Sequence, residues 1–189
     1  MQRKITYNSP VILTFAGISF VALILGSLPG SLATRTLFSI YRAPLNNLQA
    51  YMRFFLHVIG HADMGHYVSN MLLLLVIGPP VEERFGSKSL LLVILSTALI
   101  SGIIQFVFFP RSALLGASGI VFMLIIMSTF LVYKKGTLPL TMLLVFVLYI
   151  GGEVVKGIAI VDNVSQLAHI IGGICGGFFG YILSQRRRS

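Results

Sequence analysis

The sequence predicts an all-α membrane protein, a six-helix transmembrane bundle with a long interfacial first loop, and three observations lead there. Of the 189 residues, 56% are apolar and only 10% charged, against about 25% charged in soluble domains. The charges are gathered into short stretches. No Asp, Glu, Lys or Arg lies between Lys4 and Arg35, between Lys88 and Arg111, or between Arg111 and Lys134. A helix crossing the hydrocarbon needs about 20 predominantly apolar residues, and each gap holds one. The period-2 alternation of a membrane barrel is absent, and lipid cannot satisfy an open backbone, which leaves helices.

The pattern places helices over residues 10–28, 66–80, 88–108, 118–133, 138–158 and 166–184, in one domain covering 1–189 with no soluble domain. Arg3 and Lys4 precede the first apolar stretch, Pro10 to Leu28. That stretch is longer than the about 7–15 apolar residues of a signal peptide, so it reads as a span. From Pro29 to Gly65 the chain mixes Arg35, Arg42 and Arg53 with Leu45, Leu48, Tyr51, Met52, Phe54 and Phe55. Such a mixture suits headgroup depth; an ordinary outer loop is the alternative. The second helix is expected to stop at Pro79 and Pro80, which lack the N–H that a helix needs. Gly151, Gly152 and Gly157 weaken the outer end of the fifth helix, making it the candidate lateral gate, with a frayed helix end as the plainer reading.

The net charge of +9 points to nucleic acid in a soluble protein, but here it reads as topology and contact with anionic lipid. Arg3, Lys4, Arg84, Lys88, Lys134, Lys135 and Arg186 to Arg188 make nine basic residues in short connections on one side. Arg35, Arg42, Arg53, Arg111 and Lys156 make five in longer connections on the other. By the positive-inside rule both termini are cytoplasmic. Cys175 is the only cysteine, so the chain has no disulfide framework.

Polar side chains inside such helices are costly and mark function by default. His66 and Asn70 share one face of the second helix, four residues apart. Ser118 opens the fourth within Gly116-Ala117-Ser118-Gly119, and His169 stands near the start of the sixth. Taken singly, a serine among glycines is a packing position and a histidine a satisfied interior group. Their depths agree. His66, Ser118 and His169 each precede an inner anchor, Glu82, Lys134 and Gln185, by 16 residues, roughly 24 Å of helix. Ala168, Gly172, Gly176 and Gly180 form a small-residue stripe that lets another helix approach closely. A hydroxyl becomes a nucleophile when a neutral imidazole takes its proton. No acidic residue is expected in this layer, so the device is a Ser–His dyad rather than a triad. His66, Asn70 and the Ser118 N–H are its oxyanion donors.

In order and spacing these residues resemble the rhomboid family of intramembrane serine proteases. The resemblance runs from Arg53 to about Gly180 through Arg53-Phe54-Phe55-Leu56-His57, His61, His66-Tyr67-Val68-Ser69-Asn70, Val81-Glu82-Glu83-Arg84-Phe85-Gly86-Ser87, Gly116-Ala117-Ser118-Gly119, and Ala168-His169 with Gly172. It implies a serine endopeptidase acting in or near transmembrane segments, with Ser118 as nucleophile, His169 as base, and His66 and Asn70 at the oxyanion site. Gly116 and Gly119 flank the nucleophile, and Phe122 stands where the family commonly stacks a tyrosine on the histidine. It further implies that His57 and His61 are structural, and that Glu82 and Arg84 form a polar cluster at the inner end. No cofactor, metal or nucleic acid is implied. The partners would be single-span membrane proteins and membrane lipid, in a prokaryotic cell (inner) membrane. The sequence departs from the family at Met52, where a tryptophan often precedes the arginine. Two competing readings are a transporter with His66 and His169 as proton relay, and a proteolytically dead rhomboid relative. The relay would call for intramembrane acids, and the candidates Glu153 and Asp162 lie near the outer end. The dead relatives generally lack a member of the dyad, which this chain keeps.

The charge bias gives a direct test. Reporter fusions after Lys135 and Ser189 should report the cytoplasm, and fusions within 40–50 or at Arg111 the opposite side. An external C-terminus would invert the depth assigned to Ser118.

Overall fold

The computed structural model describes residues 7–132 and 163–186, with residues 140, 144 and 147. The helices are α1 (Pro10–Ser27), α2 (Ala33–Thr36), α3 (Leu48–Leu56), α4 (Met64–Phe85), α5 (Ser87–Phe108), α6 (Ser118–Ser128) and α7 (Asn163–Arg186). Single 3-10 turns extend α3 (His57–Ile59) and α6 (Thr129–Val132). Of the expected helix over 138–158 only residues 140, 144 and 147 are described, and its candidate gate lies outside the described residues. α1, α4, α5 and the Gln166–Gln185 part of α7 are each long and apolar enough to cross a membrane, while Ser118–Leu131 is apolar but shorter. The chain is a multi-pass membrane protein.

Both the interior and much of the outer surface are apolar. Leu72, Val76 and Leu92 of α4 and α5 are exposed where lipid would lie. α6, by contrast, is enclosed: Ile120, Met123, Leu124, Ile126 and Met127 are all buried. A helix apolar on every side belongs in the middle. Against it runs α7, parallel, through the small-residue stripe. Gly172 faces the backbone of Gly119, Gly176 the backbone of Met123, and Gly180 the ring of Phe130. At Gly172 a β-carbon would collide with the carbonyl of Gly119, so only glycine permits this approach.

α4 departs from expectation. It does not end at the prolines but continues through Pro79 and Pro80 to Phe85 and is capped by Gly86, whose N–H donates to Glu82 O at 2.7 Å. Membrane helices tolerate proline when neighbours re-satisfy the backbone, and here the turn beyond the prolines is held from outside. The buried Glu82 carboxylate accepts from the N–H groups of Val11 and Ile12, both at 3.0 Å, and from Ser87 Oγ at 2.7 Å. It caps the start of α1, whose own N-cap residue Ser9 makes no side-chain bond to the helix. At the other end the Tyr67 hydroxyl donates to Ala16 O at 3.1 Å, so α1 and α4 run antiparallel. The sequence reading of Glu82 as a member of an inner polar cluster thus acquires a specific partner, the first turn of α1.

Removing that acceptor strands the buried N–H of Ile12 and the half-buried N–H of Val11, at up to about 1–3 kcal/mol for each. Glu82→Ala should lower the melting temperature of the purified protein by several degrees, and Glu82→Gln, which keeps an acceptor, by less. Equal melting of all three forms would contradict the capping role.

Candidate active site

Ser118 is the first residue of α6, preceded by Ala117 at the cap. Its N–H therefore has no acceptor within the helix. The loop that delivers it is tied down at successive points. Gln105 Nε2 donates to Ser112 O and Ser112 Oγ, each at 3.1 Å. Ile40 and Leu114 exchange both backbone hydrogen bonds at 2.9 Å. Gly116 N donates to His57 O at 2.9 Å. Gly116 has φ +119, a conformation open to glycine, and a β-carbon there would sit 2.8 Å from Cε1 and Nε2 of His66. The glycine before the serine thus makes room for an imidazole.

His66 belongs to the first turn of α4, where the Asp63 side chain caps the helix by accepting from His66 N at 2.8 Å. Asn70 is buried one turn on and donates through Nδ2 to His66 O at 2.9 Å, leaving its second N–H uncommitted to that bond. On α7 the carbonyl of Ala168 would lie 3.1 Å from a β-carbon on Gly119, so His169 arrives beside the start of α6. Its ring stacks on Phe122, centroids 4.2 Å apart and planes within 4°. The starts of α4, α6 and α7 therefore meet at one end of the bundle, with Ser118, His66, His169 and Phe122 all half-buried there.

His57 and His61 stand behind this layer. His57 is enclosed: Nδ1 lies 3.1 Å from Arg53 O, and Nε2 lies 3.2 Å from Ser101 Oγ. The ring of His61 meets that of His66 edge-on at 5.0 Å and that of Tyr67 at 5.4 Å. Burial lowers both histidines from the ordinary 6.5 to about 4. For His61 the neighbouring His66 adds to the effect.

Sequence reasoning anticipated the meeting of these three helix starts but missed Asp63. The layer was expected to hold no acid, yet this carboxylate stands at the start of α4 beside His66. The signal was present as an N-cap aspartate just before an apolar helix. The ties from Ile40 and Gln105 to the serine loop carry no comparable local signature.

A multi-pass helical membrane protein with a serine and histidines gathered at the shared end of three helices is the class defined by this geometry. The chain matches the Rhomboid domain over residues 48–186, 139 of its 189 residues, and it belongs to the rhomboid family. It is 32% identical over 146 residues to Rhomboid-related protein 1 of Caenorhabditis elegans, covering 69% of this chain and 39% of that protein. Rhomboid protease GluP of Bacillus subtilis (strain 168) is 30% identical over 159 residues, 79% of this chain and 30% of that protein. Rhomboid-related protein 2 of Mus musculus is 30% identical over 143 residues, 68% and 47% respectively. The chain thus spans about a third to a half of the length of these relatives.

The two lowered histidines predict an acid limit. In the unfolded chain each takes a proton near pH 6.5, and in the folded protein near pH 4. The stability they allow is present above pH 6.5 and is lost as pH falls through that window, because the unfolded state then binds more protons. The melting temperature should fall between pH 6.5 and 4, and more gently in His61→Leu than in the parent protein. A flat profile would contradict neutral burial.

Proposed function

We propose that this chain is an intramembrane serine protease that hydrolyses peptide bonds in or near transmembrane segments of single-span membrane proteins. The observation that carries the reading is the contact of α6 with α7 at Gly119, Ala168 and Gly172, which brings the start of α7 against the start of α6. Kinship with a family that includes a named rhomboid protease supports it.

In this reading Ser118 Oγ attacks the scissile carbonyl while His169 takes its proton, then returns it to the departing amine. Water hydrolyses the acyl-enzyme in a second round through the same histidine. The Ser118 N–H at the start of α6, the second N–H of Asn70 and the His66 ring face the developing oxyanion, each such donor contributing about 10²–10³ in rate. The stacked Phe122 fixes the plane of the imidazole while supplying no proton of its own. The site serves a substrate whose helix opens locally, since a hydrogen-bonded helical backbone resists attack. With both termini cytoplasmic, the serine layer sits below the outer surface of the membrane.

Purified protein should label at Ser118 with a fluorophosphonate probe and cleave a model single-span substrate. Ser118→Ala should abolish both, His169→Ala should abolish labelling, and His66→Ala should slow turnover by roughly 10–10³-fold. Cleavage that survives Ser118→Ala, or labelling at another serine, would remove the assignment. A properly folded protein inert to probe and substrate would instead favour the dead relative.

A further inference from the structure

Three arginines distant in sequence converge on one pocket. Arg35 from α2, Arg42 from the following segment and Arg111 from the loop after α5 line a hollow of about 210 Å³ with Tyr41, Ser112 and the turn at Pro110. All three arginines are exposed. Among the described residues none of their guanidinium groups has a hydrogen bond or ion pair. The described carboxylates are engaged elsewhere: Asp63 caps α4, while Glu82 and Glu83 lie near its opposite end. Three exposed cations around one hollow favour an anion that fills the space.

The location narrows what that anion is. The pocket begins just past the end of α5, a helix long and apolar enough to cross a membrane. The last turn of α5 presents Val107 and Phe108 outward, Phe108 70% exposed, and Leu32 beside α2 is 68% exposed. A cationic hollow at the rim of a spanning helix, flanked by bare apolar side chains, matches a headgroup with acyl chains below it. The hollow is small beside the about 300–1,000 Å³ of drug-sized ligand sites, which suits a phosphate group. Arginine is suited to phosphate because its planar fork donates in pairs.

We propose that Arg35, Arg42 and Arg111 bind the phosphate of an anionic phospholipid. One wall of the pocket is Arg111 to Ala113, the stretch that leads directly into the Ile40–Leu114 bridge and on to Ser118. A bound headgroup therefore braces the loop that delivers the serine.

The test reads binding and does not require proteolysis. Protein in neutral detergent is titrated with short-chain phosphatidylglycerol, short-chain phosphatidylcholine or inorganic phosphate, following melting temperature and counting bound lipid by native mass spectrometry. The pocket variant R35Q/R42Q/R111Q is compared with R186Q/R187Q/R188Q, which removes the same three charges from the starting +9 at the far end of the chain. Phosphatidylglycerol should bind more tightly than phosphatidylcholine, and roughly fivefold more weakly for each pocket arginine removed. The C-terminal variant should bind as the parent does. Single substitutions R42Q and R111Q guard against misfolding of the triple variant. Equal loss in both triple variants, or none in the pocket variant, would overturn the site. Saturation by inorganic phosphate at similar concentration would overturn the lipid assignment in favour of a free anion. Equal binding of phosphatidylglycerol and phosphatidylcholine by the parent protein would likewise overturn the lipid assignment.

Discussion

The approach of α7 to α6 is so close that at Gly172 and Gly119 the two backbones themselves are in contact, and most of the site's geometry follows from it. In lipid there is no hydrophobic gain from bringing two apolar helices together, so association rests on packing and on small residues. The stripe supplies contact without side-chain ordering, and its register fixes which residues stand level. Because Gly172 is level with Gly119, His169 is level with the start of α6 and Phe122 lies under its ring. A shift of one turn, about 5.4 Å, would remove the histidine from the serine altogether.

The second constraint is the serine loop, which is tied to several elements distant in sequence. Its hydrogen bonds reach α5 through Gln105, the segment before α3 through Ile40, and the turn after α3 through the carbonyl of His57. His57 is in turn pinned to Ser101 of α5. Arg53, one helical turn earlier, donates through Nε to Thr36 O at 2.8 Å and lies over the Tyr41 ring at 4.5 Å. The connection between α1 and α4 is thus part of the support of Ser118.

What the sequence made legible follows from the solvent. Long charge-free runs located α1, α5 and the start of α6 closely, because lipid penalises every charge in a span. Small residues at i+4 marked the face of α7 that packs. Local rules failed where a distant group intervened. Two consecutive prolines read as a helix stop, yet Glu82 binds α1 from the turn beyond them and the helix continues. Asp63 was passed over because its role is that of a cap, expressed only when α4 begins at Met64 rather than at His66. The arginine pocket has no local signature, since Arg35, Arg42 and Arg111 become neighbours only through the Ile40–Leu114 bridge.

The cap that Glu82 places on α1 has a consequence for biosynthesis. The two hydrogen bonds join residues 71 and 70 positions apart, so α1 enters the bilayer while its stabilising carboxylate is still unmade. Until α4 arrives, the amides of Val11 and Ile12 must keep their water, which holds the first span near the interface with its leading turn hydrated. Docking of α4 releases that water and lets α1 settle. Assembly of this bundle is thereby given an order, in which the fourth helix to be made completes the first.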